Sequence, residues 1–377
     1  MDSLLALMDW HERITTGPFV ASLIVLIVGE CCLYSELSSR VLGTYVRTRP
    51  RIVMRNIVVW LTCAVLAVPY LLALTGAGKW SAFWLLLSSL LSMLLILHFL
   101  FPYRFGIRTL YPKAGVMTQE RLARGIVLRR VTVEEHLPPE SPGSLRCLVL
   151  SDLHCTWQFN LRKLRAALAA LPEAQYDMVF VLGDLGENPA LLPEVMQAIA
   201  GLRSKHGIFC VRGNHDFEKN RGGLIARLAK ENSIHLLPNV TYVVPALGIE
   251  LVGLEWPWDP GVLPSPSRAG FAIGLSHTPD NVKIFSRLNV PFALAGHTHA
   301  GKVKLPWIGS FPVGSKYGRF LDEGWFQFEN TRLYITPGFG HFPGHFGKKG
   351  VIVEMTVIDA KRRPPDAPAD RRPVPEG

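Results

Sequence analysis

Five short polar clusters contain the residue types that bind metal ions. In chain order they are Asp152-Leu153-His154, Gly183-Asp184, Gly213-Asn214-His215-Asp216, the single His277, and Gly296-His297-Thr298-His299. Carboxylate and amide oxygens combined with imidazole nitrogens suit Mn²⁺, Fe, Zn²⁺ or Mg²⁺, and not the soft ion Cu⁺. The sequence therefore predicts a mixed oxygen and nitrogen site for divalent metal.

The pair His297 and His299 is the densest arrangement of imidazoles in the chain. On extended backbone, side chains two positions apart point to the same side, so we expect this pair to present both rings together. Such a pair is weak evidence by itself. It gains weight from the four clusters that precede it.

An apolar run of strand length precedes each cluster. The runs are residues 146–151, 178–182, 208–212, 271–276 and 292–295. Continuous apolar runs of this length are typical of buried strands, and α/β sheets bind ligands at the carboxyl ends of their strands. We therefore expect the clusters to meet at one edge of an α/β fold.

The order of the clusters resembles that of the calcineurin-like metallophosphoesterase superfamily, over about Arg146 to Ile358. The segment AGHTHAGK at residues 295–302 is similar to the membrane-anchored bacterial branch of that superfamily. The resemblance implies a four-layer αββα sandwich, in which two facing sheets are flanked by helices. It also implies two divalent metal ions as cofactors, with manganese as the first choice and Fe, Zn or Mg as alternatives.

The resemblance further implies two ligand sets that share one carboxylate. The ligands of the first ion would be Asp152, His154, Asp184 and His299. The ligands of the second ion would be Asp184, Asn214, His277 and His297. A hydroxide shared by two ions about 3.5–4 Å apart would then attack phosphorus.

The histidine of the third cluster has a different expected role. By the resemblance, His215 faces the leaving group and donates a proton to it, and Asp216 orients the imidazole as its carboxylate partner. The alternative interpretation makes Asp216 a simple turn residue. Cys155 follows His154 directly, and we expect it to pack in the core.

Apolar residues are concentrated in the first 101 of the 377 residues. Stretches at 19–37, 57–76 and 80–101 are each about 20 residues long, which is enough to span a bilayer. Glu30 lies inside the first stretch, which leaves an interfacial segment as the alternative there. Arginines cluster between the first two stretches and after the third, so the positive-inside rule predicts a multi-pass protein of the inner or plasma membrane with its catalytic domain in the cytoplasm.

The formal net charge is +10 and the sequence pI is about 9.4. This charge agrees with contact to anionic lipid and with a phosphorylated substrate. Much of the excess lies beside the apolar stretches, so we expect no nucleic-acid partner. No CxxC pattern occurs among the six cysteines, which favours a reducing compartment over a structural zinc site or disulfide framework.

The expected organisation has four parts. A membrane region over 1–101 is followed by a basic connector over 102–143 that contains one strand, at 126–133. The phosphoesterase domain covers 144–360, with helices expected at 160–171, 189–203, 220–230 and 280–288. A proline-rich segment over 361–377 is expected to be disordered.

The segment Trp256-Pro257-Trp258-Asp259-Pro260 is more aromatic than an ordinary surface turn. One interpretation is a buried turn. The other is a rim of the active site that contacts acyl chains or the bilayer surface.

The leading hypothesis is a membrane-anchored, two-metal phosphoesterase that hydrolyses a phosphodiester or pyrophosphate in a phosphorylated small molecule or lipid. UDP-2,3-diacylglucosamine, an intermediate of lipid A synthesis, is the specific candidate substrate because its amphiphilic character suits the expected location. The alternatives are a broad phosphodiesterase or phosphoprotein phosphatase, and a membrane scaffold without turnover. The scaffold is disfavoured because every expected ligand position is filled.

Overall fold

A computed structural model describes residues 117–362, except for 173–174, 267–270, 302, 306–308, 312, 318–320 and 341–348. It also describes a strand at 107–109 and helical positions between residues 20 and 97. Within these described parts of the chain, no helix has the length and hydropathy that crossing a membrane requires. The three predicted membrane stretches are only partly covered, and the predicted tail beyond residue 362 lies outside the described residues.

The described residues form two seven-stranded sheets and a short two-stranded one. In chain order the strands are β1 Ile107–Thr109, β2 Met117–Arg121, β3 Val127–Glu135, β4 Ser144–Leu150, β5 Met178–Val181, β6 Ile208–Cys210, β7 His235–Leu236, β8 Thr241–Val244, β9 Ile249–Leu254, β10 Phe271–Ser276, β11 Phe292–Ala295, β12 Val303–Leu305, β13 Gly309–Phe311, β14 Gly324–Phe328, β15 Thr331–Ile335 and β16 Val351–Asp359. The five predicted strands that precede the polar clusters are confirmed, and their ends lie within two residues of the predicted ones.

Each large sheet is mixed. The first has the spatial order β1-β14-β15-β11-β10-β9-β8, and the second has the order β2-β3-β16-β4-β5-β6-β7. Strands β4, β5, β6 and β7 are parallel to one another, as are β9, β10, β11 and β15. Parallel strands end at the same edge of their sheet, so the loops that carry the polar clusters leave each sheet together.

The two sheets face each other across an apolar core. Side chains of β4 show how the core is divided: Cys147 and Val149 lie between the sheets, whereas Leu148 and Leu150 pack on the helical side. Both faces of the strand are therefore covered, which is why its sequence is continuously apolar and does not alternate with polar residues.

Beyond residue 107, the described residues form five α-helices: α1 Gln158–Ala169, α2 Leu192–Ala200, α3 Asn214–Phe217, α4 Arg221–Glu231 and α5 Val282–Arg287. Helices α1, α2 and α4 pack on the outer face of the second sheet. Helix α5 packs on the outer face of the first sheet, through Val282 and Phe285. The layers therefore follow the expected order of helix, sheet, sheet and helix.

The predicted connector contributes strands to both sheets. Strand β3 pairs in parallel with β16 over nine residues, from Val127 opposite Val351 to Glu135 opposite Asp359. Strand β2 continues the same sheet beside β3, and β1 pairs with β14 in the other sheet. The sheets thus begin before the predicted domain boundary at residue 144, and the single strand predicted for the connector is one of three.

Candidate metal centre

The five polar clusters meet at one edge of the two facing sheets. Asp152 and His154 follow β4, Asp184 follows β5, and the third cluster follows β6. His277 follows β10 in the opposite sheet, and the histidine pair follows β11. The backbone N–H of His297 donates to the Asp152 carboxylate at 3.0 Å, which joins the loops of the two sheets directly.

The backbone at this edge adopts conformations that ordinary residues avoid. Five of the twelve non-glycine residues with positive φ among the described residues are expected ligands: Asp152, His154, Asp184, His297 and His299. Such strained conformations persist where the surrounding structure enforces them, and they cluster at functional sites. The expectation that His297 and His299 lie on extended backbone is therefore wrong, since their φ angles are 72° and 53°.

Two glycines allow the loops to approach one another. A Cβ atom at Gly296 would overlap the side chains of Ser151 and Asp152, and one at Gly213 would overlap Asp184 Oδ1. The third and fifth clusters begin with glycine because carboxylates of neighbouring loops occupy the space that a side chain would need.

The first group of converging side chains consists of Asp152, His154 and His299, whose ligand atoms all lie within 4.8 Å of one another. His154 Nε2 lies 3.1 Å from His299 Nε2, and His299 Nε2 lies 3.3 Å from Asp152 Oδ1. The second ring nitrogen of His154, Nδ1, lies 2.7 Å from a carboxylate oxygen of Glu187. A carboxylate in this outer position fixes the ring and leaves Nε2 to bind a metal.

The second group consists of Asp184, His277 and His297. His277 Nε2 lies 3.1 Å from both Asp184 Oδ2 and His297 Nδ1. His277 Nδ1 lies 2.6 Å from the carbonyl oxygen of Leu182, so it carries the ring proton and directs Nε2 into the site. The two histidines of the HxH pair thus belong to different groups, because their left-handed backbone turns them apart.

Asp184 lies between the two groups. Its Oδ2 is 3.1 Å from His277 Nε2 and 3.7 Å from His154 Nε2. Its other oxygen, Oδ1, accepts the backbone N–H of His215 at 2.9 Å. One carboxylate oxygen therefore faces the histidines of both groups, which is the position a bridging ligand requires.

Asn214 provides an independent test of whether a metal fits here. Its side chain is buried, yet among the described residues neither its amide nitrogen nor its amide oxygen has a hydrogen-bond partner. Leaving a buried amide without a partner costs roughly 1–3 kcal/mol. In native proteins such a group therefore usually binds an ion or an ordered water when no protein group pairs with it. A metal ion at the second group would satisfy the oxygen.

The electrostatics of the site also favour a cation. Burial lowers the pKa of His277, but the carboxylates of Asp184 and Asp152 outweigh this effect and raise the pKa to about 9. Burial raises the pKa of Asp184, and the surrounding histidines outweigh it and hold that pKa well below its usual range. The carboxylates thus stabilise positive charge within the site, whether it is carried by protons or by a metal.

His215 lies beside both groups, and its ligand atom lies within 4.8 Å of those of His154 and Asp184. Its ring is 5.1 Å from that of His154, measured between centroids, and its Nδ1 lies 3.4 Å from Glu187 and 3.6 Å from Glu218. The buried guanidinium of Arg221 donates to its carbonyl oxygen. The backbone of His215 is therefore held from both sides, and its imidazole sits against two carboxylates.

Asp216 does not have the predicted contact with His215. Its Oδ2 accepts the backbone N–H groups of Asp184 and Gly213, each at 2.8 Å, and its Oδ1 accepts that of Leu185 at 2.9 Å. The interpretation of Asp216 as the orienting partner of His215 is wrong, because its carboxylate accepts two backbone N–H groups from the loop after β5 and one from Gly213 in its own loop. Its role is to join the loop after β5 to the loop after β6.

Sequence reasoning missed Glu187, which occupies the position expected for Asp216. The carboxylate contacts His154 and His215, and it accepts the hydroxyl of Thr156. Burial raises its pKa, but the hydrogen bonds from His154 and Thr156 outweigh burial and lower the pKa to about 2. The available signal was an acidic residue three positions after Asp184 in the same loop.

The sequence left Trp258 either in a buried turn or at a rim of the active site. Its indole lies 5.6 Å from the rings of both His277 and His297, measured between centroids. The aromatic segment after β9 therefore borders the second group of ligands. Cys155 packs as expected: it is buried among core side chains beneath α1, and burial raises its pKa to about 12.

Comparisons with known proteins agree with this geometry. Residues 145–301 match the family model described as calcineurin-like phosphoesterase. The uncharacterized metallophosphoesterase YkuE of Bacillus subtilis is 26% identical over 239 residues, which are 60% of this chain and 83% of YkuE. Phosphodiesterase YaeI of Escherichia coli is 29% identical over 220 residues, 54% of this chain and 78% of YaeI.

A third relative, the transmembrane protein with metallophosphoesterase domain of Bos taurus, is 24% identical over 252 residues, 60% of this chain and 56% of that protein. Residues 145–301 form a calcineurin-like metallophosphoesterase domain. The resemblance stated from the cluster order is confirmed, and the metallophosphoesterase is a metal-dependent hydrolase of phosphoric esters.

Proposed function

We propose that this metallophosphoesterase hydrolyses phosphodiesters or pyrophosphates with two divalent metal ions. The observation that carries the proposal is the position of Asp184 between two groups of histidines, with the amide of Asn214 lacking a partner among the described residues. The first ion would be held by Asp152, His154, Asp184 and His299. The second would be held by Asp184, Asn214, His277 and His297.

The ions, when bound, would polarise the phosphoryl oxygens and lower the pKa of water, with manganese as the first choice. The protein supplies the orientation of the ligands. Glu187 and the Leu182 carbonyl hold the outer nitrogens of His154 and His277, so that both rings keep their Nε2 directed inward. Burial of Asp152 and Asp184 keeps competing water away from their carboxylates.

His215 is the proposed proton donor. Its Nδ1 faces the carboxylates of Glu187 and Glu218, which stabilise the protonated ring. The opposite nitrogen, Nε2, then carries the proton that the departing oxygen needs. Arg221 supports this arrangement, since it holds the carbonyl groups of both His215 and Glu187.

Two observations support membrane anchoring. Small and polar side chains lie at the contact between the N-terminal helical positions: a side chain at Gly29 would meet Ser92, and Ser88 and Ser92 are buried. Apolar side chains such as Ile24 and Leu90 are exposed instead. Small residues between helices with apolar residues outward is the pattern of membrane helices, and the bovine relative is named a transmembrane protein.

The test of function uses His215→Ala. The variant should keep its metal content and lose about 10²–10⁴-fold in turnover, the usual contribution of a positioned general acid. The loss should be smaller on bis-p-nitrophenyl phosphate, whose leaving group scarcely needs a proton, than on an alkyl phosphodiester or UDP-2,3-diacylglucosamine. His136→Ala, which changes an exposed histidine after β3, is the matched control.

The outcomes separate the candidate functions. Release of UMP from UDP-2,3-diacylglucosamine by the wild type and not by His215→Ala would select the nucleotide-linked lipid as substrate. Turnover of generic phosphodiesters alone would select the broad phosphodiesterase. A metal-loaded protein that hydrolyses none of these substrates would contradict catalysis and favour the scaffold.

The proposed orientation has its own test. A reporter fused after Arg362, beyond the end of β16, should be active only in its cytoplasmic form, because the arginines that flank the apolar stretches favour the cytoplasmic side. Activity of a periplasmic reporter at the same position would contradict the orientation.

A further inference from the structure

Two loops at the metal-binding edge expose large apolar side chains. The loop after β4 and the first turn of α1 expose Trp157 and Phe159, at 71% and 59% of their surface. The segment after β9 exposes Val262 and Leu263, at 89% and 42%. Beyond residue 107, seven large apolar side chains are exposed in the described part of the chain, and these four are among them. Exposed large apolar side chains beside a candidate site indicate a surface that contacts apolar material.

Both loops border the metal site. Trp157 follows His154 by three residues. Strand β9 runs parallel to β10, so its carboxyl end lies at the same edge as the loop that carries His277. Trp258, four residues before Val262, places its indole 5.6 Å from the rings of His277 and His297.

The segment after β9 is held firmly at its start. Glu255 forms a buried ion pair with Arg212, whose Nη2 also lies 3.2 Å from Asp259. Asn239 donates to the Asp259 carbonyl at 2.7 Å and accepts the backbone N–H groups of Glu255 and Trp256. The apolar side chains of this segment are thus presented on an anchored turn.

We propose that these two loops, Trp157–Phe159 and Trp258–Leu263, bind an alkyl chain of an amphiphilic phosphoester. This inference rests on the proposed function, because it names the class of substrate for the same site. When a phosphoryl group lies at the metal site, its organic substituents leave the site at the same edge of the sheets, where the two loops lie. A polar substituent would leave these apolar side chains in water, whereas an alkyl chain removes them from it.

The size of the effect follows from the hydrophobic contribution of each methylene. One fully buried methylene strengthens binding by about fourfold. A hexyl chain has five more carbons than a methyl group, and burial of two or three of them against the apolar side chains would strengthen binding by about 15- to 60-fold.

The test compares hexylphosphonate with methylphosphonate on the full-length, metal-loaded protein. A phosphonate has a carbon–phosphorus bond that the enzyme does not hydrolyse, so calorimetry measures binding independently of turnover. We expect the wild type to bind hexylphosphonate at least tenfold more tightly than methylphosphonate. In the double variant Val262→Asp/Leu263→Ser this ratio should fall to threefold or less, and Phe159→Ser should lower it in the same direction.

Val243→Asp is the matched control, because Val243 is an exposed valine on β8 outside the two loops. Partition of the hexyl chain into detergent is the same for every variant, so it does not change the comparison. Equal binding of the two phosphonates by the wild type, or a ratio unchanged in the loop variants, would overturn the inference. If the wild type prefers hexylphosphonate but hydrolyses no phosphoester, the result would support alkyl binding by the two loops and contradict the proposed catalysis.

Discussion

Asp184 is the single side chain on which the proposed two-metal site depends. Its Oδ2 faces His277 at 3.1 Å and His154 at 3.7 Å, so it contacts the expected ligands of both ions. Asn214 lies on one side only, among the expected ligands of the second ion. This difference in position gives a prediction that metal analysis can check.

We predict that Asp184→Ala loses both metal ions, whereas Asn214→Ala loses one. The physical reason is that Asp184 provides the shared negative charge and Asn214 a neutral oxygen at one ion. The measurement is metal content per chain after gel filtration, with the wild type expected to hold close to two ions. Two retained ions in Asp184→Ala would exclude a bridging carboxylate.

Glu187 is a positioning residue, since it contacts the imidazoles of His154 and His215. Glu187→Gln should lower turnover by about 10- to 100-fold, the usual effect of removing a partner outside the ligand shell. The loss should be larger for alkyl than for p-nitrophenyl leaving groups, because His215 loses the nearer of its two stabilising carboxylates. Turnover measured with both substrate types, at saturating metal, checks this.

Two further variants complete the Glu187 experiment. Glu187→Asp should restore part of the activity because it restores the charge. Glu231→Gln changes an exposed glutamate on α4 and should have no effect. If Glu187→Gln lowers turnover equally for both leaving groups, Glu187 does not act through the proton transfer by His215.

Among the elements, the ends of β6 and β9 are joined by a buried ion pair beside the turn that carries Trp258. Arg212 follows β6 and Glu255 follows β9; the guanidinium also lies over the Phe217 ring, 4.5 Å from its centroid. Burial lowers the pKa of Arg212, and the hydrogen bonds and charge of Glu255 outweigh burial and raise it. The ion pair therefore keeps a buried charge neutralised and holds the turn that carries Trp258.

We predict that Glu255→Ala lowers the free energy of unfolding by about 3–5 kcal/mol, because it leaves the buried guanidinium without its principal partner. The exposed pair Arg165–Glu194 is the matched control, and Glu194→Ala should cost at most about 1 kcal/mol. Urea unfolding followed by tryptophan fluorescence measures both. Similar values for the two variants would contradict the importance of burial at this junction.

For the whole molecule, the decisive contacts join segments that are far apart in the chain. Strand β16 lies between β3 and β4, so residues 127–135 pair with residues 351–359. The side chains of Leu128, Val131 and Val133 are fully buried in this arrangement. The part of the chain before residue 144 therefore completes the core of the metallophosphoesterase domain.

We predict that a chain beginning at residue 102 folds, whereas one beginning at residue 144 aggregates. Without β3, strand β16 would expose a nine-residue edge in which six residues are apolar, and such an edge is prone to pairing with other chains. Soluble yield and the midpoint of thermal unfolding measure the difference. Equal yields and equal midpoints for the two truncations would contradict the role of β3.

The sequence by itself determined the residues of the site and the strands that precede them. Asp152, His154, Asp184, His277, His297 and His299 come together as expected because each directly follows an apolar run, and parallel strands end at a common edge. Both signals are local, so they can be read without knowing which segments meet. The same holds for the helix that follows β4, which begins at Gln158, two residues before the expected start.

Only the tertiary structure decided which partner each polar group has. Asp216 binds backbone amides of the loop after β5, and Glu187 takes the position beside His215. The two histidines of the HxH pair separate into different groups because their backbone is left-handed, and Trp258 contacts ligands that follow two other strands. These outcomes depend on distances between loops that lie about 20 to 145 residues apart in the chain, and residue type and spacing do not encode such distances.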